Sequence, residues 1–451
     1  MNNPGQTKLT PDEFRTALRQ GRGTALMHVL SHGLEHIASF VLDACLEEQA
    51  FDLQCEDLRA GWLYRMFKGA PEHGVFRRRI IAELYDMAES SSAEQLCELA
   101  ALMARDGDHE AAQALRSFVW AQDFESDGSM VSARGCHAIV SVDGLPALLD
   151  IARRYGRILQ EDQDVFVDSL EALVDGAEAY ERALAELNLR AKDDPAISAY
   201  VERERRERDT ALAIDRESPE ETSARRELYR AETLEKFPLE AVFAAAMRHE
   251  TARFKFHQFG RWCSEGDLAA VLERLAVESD RETCLRLLWI FRNAAPPFIP
   301  ERLWVLAMHD DVRIRDAALT ALAHSDDPAV GAFGRKYLAQ RTFSADDAAA
   351  IELFARHYQP GDETLIMDAL GRLRPDEAEA HDVGMSIRRF AEDNHGPSIA
   401  PILHWLYETN PCTLCRAGAV RLLVDAGCLS SAVAQECQFD ASGEIQDLVK
   451  T

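Results

Sequence analysis

One short pattern of residues returns through the second half of this chain. It is an arginine followed at +3, +4 and +7 by small or apolar residues, and it begins at Arg281, Arg315 and Arg416. Looser copies begin at Asp346 and Val383, so consecutive copies lie 34, 31, 37 and 33 residues apart. Repeats of this length are typical of stacked helix pairs, because one pair cannot bury its apolar face alone. The pattern therefore predicts an all-α fold whose second half is a stacked array.

The +3, +4 and +7 positions are expected to face the neighbouring helix pairs, with the leading residue near the turn. These positions are Cys284, Leu285 and Leu288; Ala318, Leu319 and Leu322; Ala349, Ala350 and Leu353; Ser386, Ile387 and Phe390; Ala419, Val420 and Leu423. Alternation of apolar and polar residues, which would indicate strands, is nearly absent, so no sheet is expected.

Composition divides the chain into four stretches. Residues 1–23 predict a short lead-in, residues 24–192 an N-terminal helical array, and residues 237–451 the C-terminal array. Between the arrays, residues 193–236 carry 13 acidic and 9 basic side chains, so half of the stretch is charged. Mixed charges suit ion pairing on a solvated helix, which predicts an exposed helical linker or insertion, or a docking arm between the arrays.

Local signals predict several helix limits. Ser218, with Glu221 three residues later, predicts a capped helix start. Apolar residues recur at intervals of three and four from Leu26 to Leu46, which predicts one continuous helix face. Residues 162–191 are predicted as one further helix.

The charge balance constrains the partner. The chain carries 50 basic and 77 acidic residues, a net charge of -27, which repels polyanions at long range and favours a basic protein partner. Nucleic acid is therefore an unlikely ligand. No apolar run approaches the ~18 residues of a membrane helix, and the N-terminal stretch lacks a signal-peptide pattern. A soluble cytoplasmic protein without a membrane partner is expected.

The stretch from His309 to Leu322, HDDVRIRDAALTAL, resembles a HEAT repeat. In that family an Asp at the turn and an Arg early in the second helix precede an Ala-Leu-x-x-Leu run. The stretch from Asn410 to Leu423 resembles it again, with Cys412 in place of the acidic turn residue. The resemblance covers residues 238–451. It implies an armadillo-like α-solenoid whose curved face binds a partner, which is an analogy of fold and not of function.

Three histidines are spaced by one helical turn near the N-terminus. His28, His32 and His36 would lie on one face of the predicted helix, with Glu35 beside them. Two histidines at i and i+4 can reach one metal ion. The alternative is that all three line a groove between helices, because apolar residues lie alongside. A metal-dependent enzyme using these histidines is accordingly an alternative function.

Four of the ten cysteines lie close together near the C-terminus. They are Cys412, Cys415, Cys428 and Cys437, which span 26 residues. Two close pairs would indicate zinc, but here the second pair is spread widely. Without a secretory signal the cysteines are interpreted as small buried hydrophobic residues, and structural zinc is the alternative.

The segment 248–262 is both basic and aromatic. Such a composition can bind nucleic acid through phosphate contacts and base stacking, as a HEAT-like repair protein would. However, Phe256, Phe259 and Trp262 are spaced as core positions of a helix. A packed helix or a protein-docking surface are the other interpretations of this segment.

No catalytic motif emerges from the sequence. The chain lacks a Gly-x4-Gly-Lys-Ser/Thr phosphate loop and a Gly-x-Ser-x-Gly elbow. We therefore assign no catalytic, cofactor-binding or metal-binding residue. The expected function is a non-enzymatic scaffold or adaptor that buries a partner segment on a helical surface. Its possible anchors are Trp262, Trp289, Trp304 and Trp405.

Overall fold

Helices joined by turns build the structure, a computed structural model that describes residues 8–53, 55–86, 92–122, 124, 133–215, 218–340 and 343–450. The all-α prediction is confirmed, since the described residues contain no β-strand. The chain divides into two units. Unit 1 comprises residues 1–217 and 436–443, and unit 2 comprises residues 218–435 and 444–451. No helix in the described part of the chain is both long enough and apolar enough to cross a membrane.

Unit 1 contains the first twelve α-helices. They are α1 (Pro11–Arg19), α2 (Gly23–His32), α3 (Ala38–Leu46), α4 (Ala60–Phe67), α5 (His73–Asp86), α6 (Ala93–Arg105), α7 (His109–Ala121), α8 (Cys136–Asp143), α9 (Leu145–Glu161), α10 (Leu170–Leu173), α11 (Gly176–Arg190) and α12 (Pro195–Asp215).

The charged stretch 193–236, predicted as an exposed helical linker or insertion, is helical over most of its length. The boundary between the units falls inside it, at Glu217. Its first helix, α12, packs along α9, and the side chains of Ile197 and Tyr200 are fully buried. The first two turns of α12 therefore belong to the core of unit 1, and the charged positions of the helix come after them.

The stretch 1–23 is more than a lead-in, since it contains α1 and the start of α2. A capping box between Thr10 and Glu13 starts α1, and Phe14 is fully buried in the core of unit 1. The stretch predicted as the C-terminal array also needs correction, because its residues 436–443 pack into unit 1. There Arg22 Nε lies 2.8 Å from Glu436 Oε1.

The backbone of residues 436–443 is held by further contacts within unit 1. The indole N–H of Trp62 donates to the carbonyl of Phe439 at 2.8 Å. The amide of Ala441 donates to the carbonyl of Gly21 at 2.8 Å. A Cβ at Gly23 would lie 1.9 Å from a backbone oxygen of this segment, so the close approach requires glycine.

Unit 2 contains the remaining α-helices, except that the end of the penultimate helix and the first residue of the last helix fall within residues 436–443 of unit 1. They are α13 (Pro219–Lys236), α14 (Leu239–Met247), α15 (Arg253–Trp262), α16 (Glu265–Val277), α17 (Arg281–Trp289), α18 (Glu301–Leu306), α19 (Val312–Ala323), α20 (Pro328–Leu338), α21 (Ala349–Glu352), α22 (Asp362–Leu370), α23 (Glu377–Asp393), α24 (Ala400–Thr409), α25 (Thr413–Asp425), α26 (Ser431–Cys437) and α27 (Gly443–Leu448). Three 3₁₀ helices, Ile290–Arg292, Ala345–Asp347 and Pro397–Ile399, adjoin α17, α21 and α24.

The repeated pattern lies on the second helix of successive pairs in unit 2. Helices α17, α19, α21, α23 and α25 pack one against the next in chain order. Every +3, +4 and +7 position of the pattern is buried, as predicted. The leading arginines reach forward to the next copy: Arg281 Nη2 lies 3.0 Å from Asp311 Oδ2, and Arg315 Nε lies 2.9 Å from Asp347 Oδ1. The first copy is thus joined to the second, and the second to the third, by apolar burial and an ion pair.

Several predicted helix limits can now be compared with the structure. Ser218 and Glu221 form the predicted capping box at the start of α13. The single helix predicted over Leu26–Leu46 is wrong, because α2 ends where Gly33 adopts φ +74°. The single helix predicted over 162–191 is also wrong, since α10 ends at Leu173 and Gly176, the first residue of α11, adopts φ +80°. Glycine tolerates this left-handed backbone, and a helix cannot continue through it.

Candidate functional site

The successive second helices of unit 2 share a cavity of about 500 Å³, here called the charged cavity. It is lined by residues of α15, α17, α19, α21 and α23 and of the two 3₁₀ helices that precede α18 and α21. Its charged lining residues are Arg253, Arg292, Arg313 and Arg389, with Asp316, Asp346, Glu352, Glu379 and Asp382. Because the lining follows one face of the repeat, the regular stacking of unit 2 creates the cavity.

The arginines of the charged cavity are largely engaged within unit 2. Arg389 Nη1 lies 2.6 Å from Glu352 Oε1. Arg313 Nη2 lies 2.7 Å from Glu282 Oε1 and 3.1 Å from Asp311 Oδ2, two carboxylates outside the cavity lining. These guanidinium groups are therefore already neutralised by their own chain.

Trp289 borders the charged cavity and is held in place by cations. The guanidinium carbons of Arg253 and Arg286 lie 4.9 and 5.1 Å from its ring centroid, within cation–π range. Phe256 packs edge-on at 5.8 Å between ring centroids. Of the four tryptophans predicted as anchors, all are half-buried, and Trp289 is the one that lines this cavity.

Glu352 is the buried carboxylate of the charged cavity. Its side chain is 4% exposed and accepts a hydrogen bond of 2.9 Å from the hydroxyl of Ser386. Burial raises the pKa of Glu352 to about 7, although Ser386 and the nearby charge of Arg292 lower it. A cationic group entering the cavity would favour the ionised carboxylate.

Three other carboxylates of the cavity belong to residues with exposed surface, although burial raises the pKa of the Asp316 carboxyl. Asp316, Asp346 and Asp382 have no ion-pair partner within 4 Å among the residues that the structure describes. Glu379 also lines the cavity and accepts a hydrogen bond from the backbone N–H of Asp376. Four lining carboxylates have no arginine partner within the described residues, whereas two lining arginines, Arg253 and Arg292, have no carboxylate partner there. Among the unpaired groups of the cavity, acidic side chains therefore outnumber basic ones.

A second polar group lies beside the cavity, on α23 and at the start of α25. The ligand atoms of His381, Cys412 and Cys415 all lie within 4.8 Å of one another, here called the thiol–imidazole cluster. Cys415 Sγ lies 3.9 Å from His381 Nδ1 and 3.8 Å from the thioether sulfur of Met385, which also lines the charged cavity. Cys412 and Cys415 are 3% and 1% exposed.

The two thiols influence each other's ionisation. Cys412 is the N-cap of α25, although its side chain makes no capping hydrogen bond. The neighbouring Cys415 thiol, together with the backbone amides of the first helical turn, lowers the pKa of Cys412 to about 6. The Cys412 sulfur and burial instead raise the pKa of Cys415, and Arg388 opposes that rise.

The cysteine set considered from the sequence is only partly brought together. Cys428 donates to the carbonyl of Ala426 at 3.3 Å, and Cys437 is buried in the core of unit 1. Sequence reasoning missed His381, which lies 34 residues before Cys415. That separation matches the period of the repeated pattern, and it was the one available signal.

The predicted histidine row does not form a site. His28 is buried and its Nδ1 accepts the backbone N–H of Leu9 at 3.1 Å. Burial lowers the pKa of His28. His32 ends α2, and His36 lies in the following turn with φ +65°, so the three histidines do not share one helix face. They form no group of convergent metal ligands within the described residues.

The basic aromatic segment 248–262 is mostly structural. Phe256 and Phe259 are buried in unit 2, as the packed-helix interpretation predicted. Glu250 pairs with Arg248 at 2.7 Å and with Lys255 at 3.7 Å, which reduces the positive charge available to phosphates. The segment therefore offers no continuous basic surface for nucleic acid.

Unit 1 has a cavity of its own, of about 440 Å³, next to His137. His137 Nδ1 lies 2.6 Å from Glu98 Oε1, and Nε2 lies 3.1 Å from Asp175 Oδ1. The hydrogen bond to Glu98 raises the pKa of His137 to about 9. Because carboxylates engage both ring nitrogens, this imidazolium is a structural bridge and not a free base or metal ligand.

Comparison with protein-family models, with curated proteins and with solved structures found no match to this chain. The geometry of the charged cavity and of the thiol–imidazole cluster therefore provides the basis for assigning a function.

Proposed function

We propose that this protein is a non-enzymatic adaptor that binds a basic segment of a partner protein in the charged cavity of unit 2. The observation that carries the proposal is the excess of unpaired carboxylates along one face of successive second helices. Such a face offers a row of acceptors to an extended or helical chain with basic side chains.

The resemblance to HEAT repeats supports the same interpretation. The pattern positions are buried, and the Arg281–Asp311 and Arg315–Asp347 ion pairs join one copy to the next. A HEAT-like α-solenoid of this kind presents its successive second helices as a binding surface. The absence of a catalytic constellation in the sequence favours binding over chemistry, and fold analogy alone would not decide between them.

The charge of the protein indicates the charge expected of its partner. The net charge of -27 attracts cations at long range, and the three exposed aspartates of the cavity provide short-range contacts. A bound ammonium or guanidinium would also lower the pKa of Glu352, which burial holds near 7. Binding would then release a proton near neutral pH, so affinity for a basic segment should rise as the pH increases from 6 to 8.

The test uses three labelled probes of equal length, namely a lysine- and arginine-rich peptide, a glutamate-rich peptide and a single-stranded oligonucleotide. At low salt, fluorescence anisotropy should show that the protein binds the basic peptide and neither of the other two probes. Asp346→Asn with Asp382→Asn should weaken that binding about 3- to 10-fold, as expected for two exposed ion pairs. Salt should weaken it further.

The matched control is Glu240→Gln with Glu273→Gln, which removes the same charge from exposed positions of α14 and α16 outside the cavity. If this control weakened binding as much as the cavity variant, net charge alone would explain the affinity. Tighter binding of the oligonucleotide than of the basic peptide would overturn the proposal in favour of a nucleic-acid-binding protein.

A further inference from the structure

Two consecutive copies of the repeated pattern place three soft ligands together in unit 2. His381 lies on α23, two residues before one copy, and Cys415 lies on α25, one residue before the next. Cys412 is contributed by the same turn as Cys415. Stacking of α25 on α23 is therefore what brings the imidazole to the two thiols.

We propose that His381, Cys412 and Cys415 form a binding site for a thiophilic metal ion, Zn²⁺ or Cu⁺. Thiolate and imidazole ligands are the donors that these ions prefer. Around a tetrahedral Zn²⁺ with bonds of about 2.0–2.3 Å, ligand atoms lie about 3.3–3.8 Å apart. The three ligand atoms lie within 4.8 Å of one another, so small side-chain rotations close the site.

The backbone around the cluster is held in position by Asn410, which is fully buried. Its Oδ1 accepts the backbone N–H of Cys412 at 2.9 Å, and its Nδ2 donates to the carbonyl of Ala380 at 2.9 Å. A Cβ at Gly384 would lie 1.9 Å from Nδ2, so this bridge requires a glycine on α23. Asn410 thus fixes the distance between the histidine helix and the cysteine turn, as outer-shell groups do in metal sites.

The charge balance of the site suits a cation. Metal binding replaces the proton on each thiol, and the released protons go to solvent. Both cysteines lie at the N-terminus of α25, where the helix dipole favours negative charge. Two thiolates neutralise Zn²⁺, or leave a complex of charge -1 with Cu⁺.

The two ions differ in their affinity for the thioether of Met385. Its thioether lies 3.8 Å from Cys415 Sγ and is a good ligand for Cu⁺ but a poor one for Zn²⁺. With Zn²⁺ the fourth position would be taken by water or by an exogenous group. Met385→Leu therefore distinguishes a Cu⁺ site, in which the thioether is a ligand, from a Zn²⁺ site, in which it is not.

The test titrates the full chain, reduced and treated with a chelator, with Co²⁺, Zn²⁺ and Cu⁺ in separate experiments. Co²⁺ should give thiolate charge-transfer absorption and the visible bands of a tetrahedral site, with one ion per chain. Zn²⁺ should displace it. Cys412→Ser and Cys415→Ser should each weaken binding by about 100-fold or more, and His381→Asn by about 10-fold or more. Far-ultraviolet circular dichroism checks that the variants fold.

Cys428→Ser is the matched control, because its thiol donates only to the nearby carbonyl of Ala426 among the contacts described, and it should bind Co²⁺ like the wild type. If Cu⁺ is the resident ion, Met385→Leu should weaken the binding of Cu⁺ and leave the binding of Zn²⁺ unchanged. Wild-type Co²⁺ spectra in Cys415→Ser or in His381→Asn would overturn the three-ligand site. So would a Cys412–Cys415 disulfide that forms in air even with Zn²⁺ present, since that behaviour indicates a redox dithiol.

Discussion

Unit 2 builds its core from one pattern repeated along the chain, whereas unit 1 buries an apolar core without that repeat. In unit 2, Leu285, Leu319 and Val420 occupy the same buried position of the pattern on α17, α19 and α25. In unit 1, the core depends on particular contacts, such as α12 against α9 and residues 436–443 against Trp62. A repeat places functional groups at regular intervals along one face, which a non-repeating core does not do.

The two units nevertheless share one packing device. A Cβ at Gly156 of unit 1 would lie 1.8 Å from the carbonyl oxygen of Ala196. A Cβ at Gly260 of unit 2 would lie 1.8 Å from the carbonyl oxygen of Ile290. In both units, therefore, a glycine allows one helix backbone to approach another directly.

The largest expected effect compares one leucine from each core. Leu319→Ala in unit 2 and Leu115→Ala in unit 1 each remove a fully buried side chain and should cost about 2–5 kcal/mol of stability. Urea unfolding measures the cost, and hydrogen exchange locates it. Exchange should rise in α17 and α21 for Leu319→Ala, because both pack on α19. Wild-type stability of Leu319→Ala would show that the register of the repeat is wrong.

A smaller effect compares a buried carboxyl in each unit. Burial raises the pKa of Glu204 in unit 1 and of Glu352 in unit 2 from 4.5 to about 7. The unfolded chain loses these protons first, so stability should fall as the pH rises from about 4.5 to 7, by about 3 kcal/mol for a shift of this size. Glu204→Gln should remove that decline and make the protein more stable than the wild type at pH 8.

Glu352→Gln should gain less at pH 8 than Glu204→Gln, because it loses the ion pair to Arg389. Glu204, by contrast, has one side-chain oxygen without a hydrogen-bond partner in the described part of the structure. Thermal unfolding at pH 5 and pH 8 measures both variants. An equal gain from the two would indicate that Arg389 does not stabilise the ionised form of Glu352.

The shared glycine device predicts a matched pair of destabilised variants. Gly156→Ala and Gly260→Ala should each cost about 1–3 kcal/mol, because the new methyl overlaps a backbone carbonyl that must move. Gly61→Ala is the control, since its Cβ meets nothing within 4 Å and alanine favours the helix by about 0.5–1 kcal/mol. Denaturant midpoints of the three variants give the comparison, and a neutral Gly260→Ala would show that α15 packs less closely.

The smallest expected effect compares helix starts. Thr10 in unit 1 and Ser218 in unit 2 both form capping boxes. Thr10→Ala and Ser218→Ala should each cost about 1 kcal/mol, because the helix loses a hydrogen-bond acceptor for its first turn. Thr10→Ala should cost more stability than Ser218→Ala if α1 is coupled to the rest of unit 1 through Phe14, which is fully buried. Equal costs in thermal unfolding would argue against that coupling.

Sequence reasoning succeeded where a local rule was sufficient. The all-α class, the burial of the pattern positions and the cap at Ser218 all follow from periodicity and from side chains within a few residues. It failed where backbone geometry or distant packing decided. Gly33 interrupts the predicted helix through a left-handed φ, and α12 is drawn into unit 1 by Ile197 and Tyr200 despite its charge.

The same distinction between local rules and distant packing applies to the candidate site. By itself the sequence determined the repeat period, the excess of acidic charge and the two cysteines one turn apart. Only the tertiary structure decided that His381 joins them and that His36 lies outside the helix that carries His28 and His32. The physical reason is that a repeat fixes which positions are buried, whereas the register of one helix on the next fixes which side chains meet.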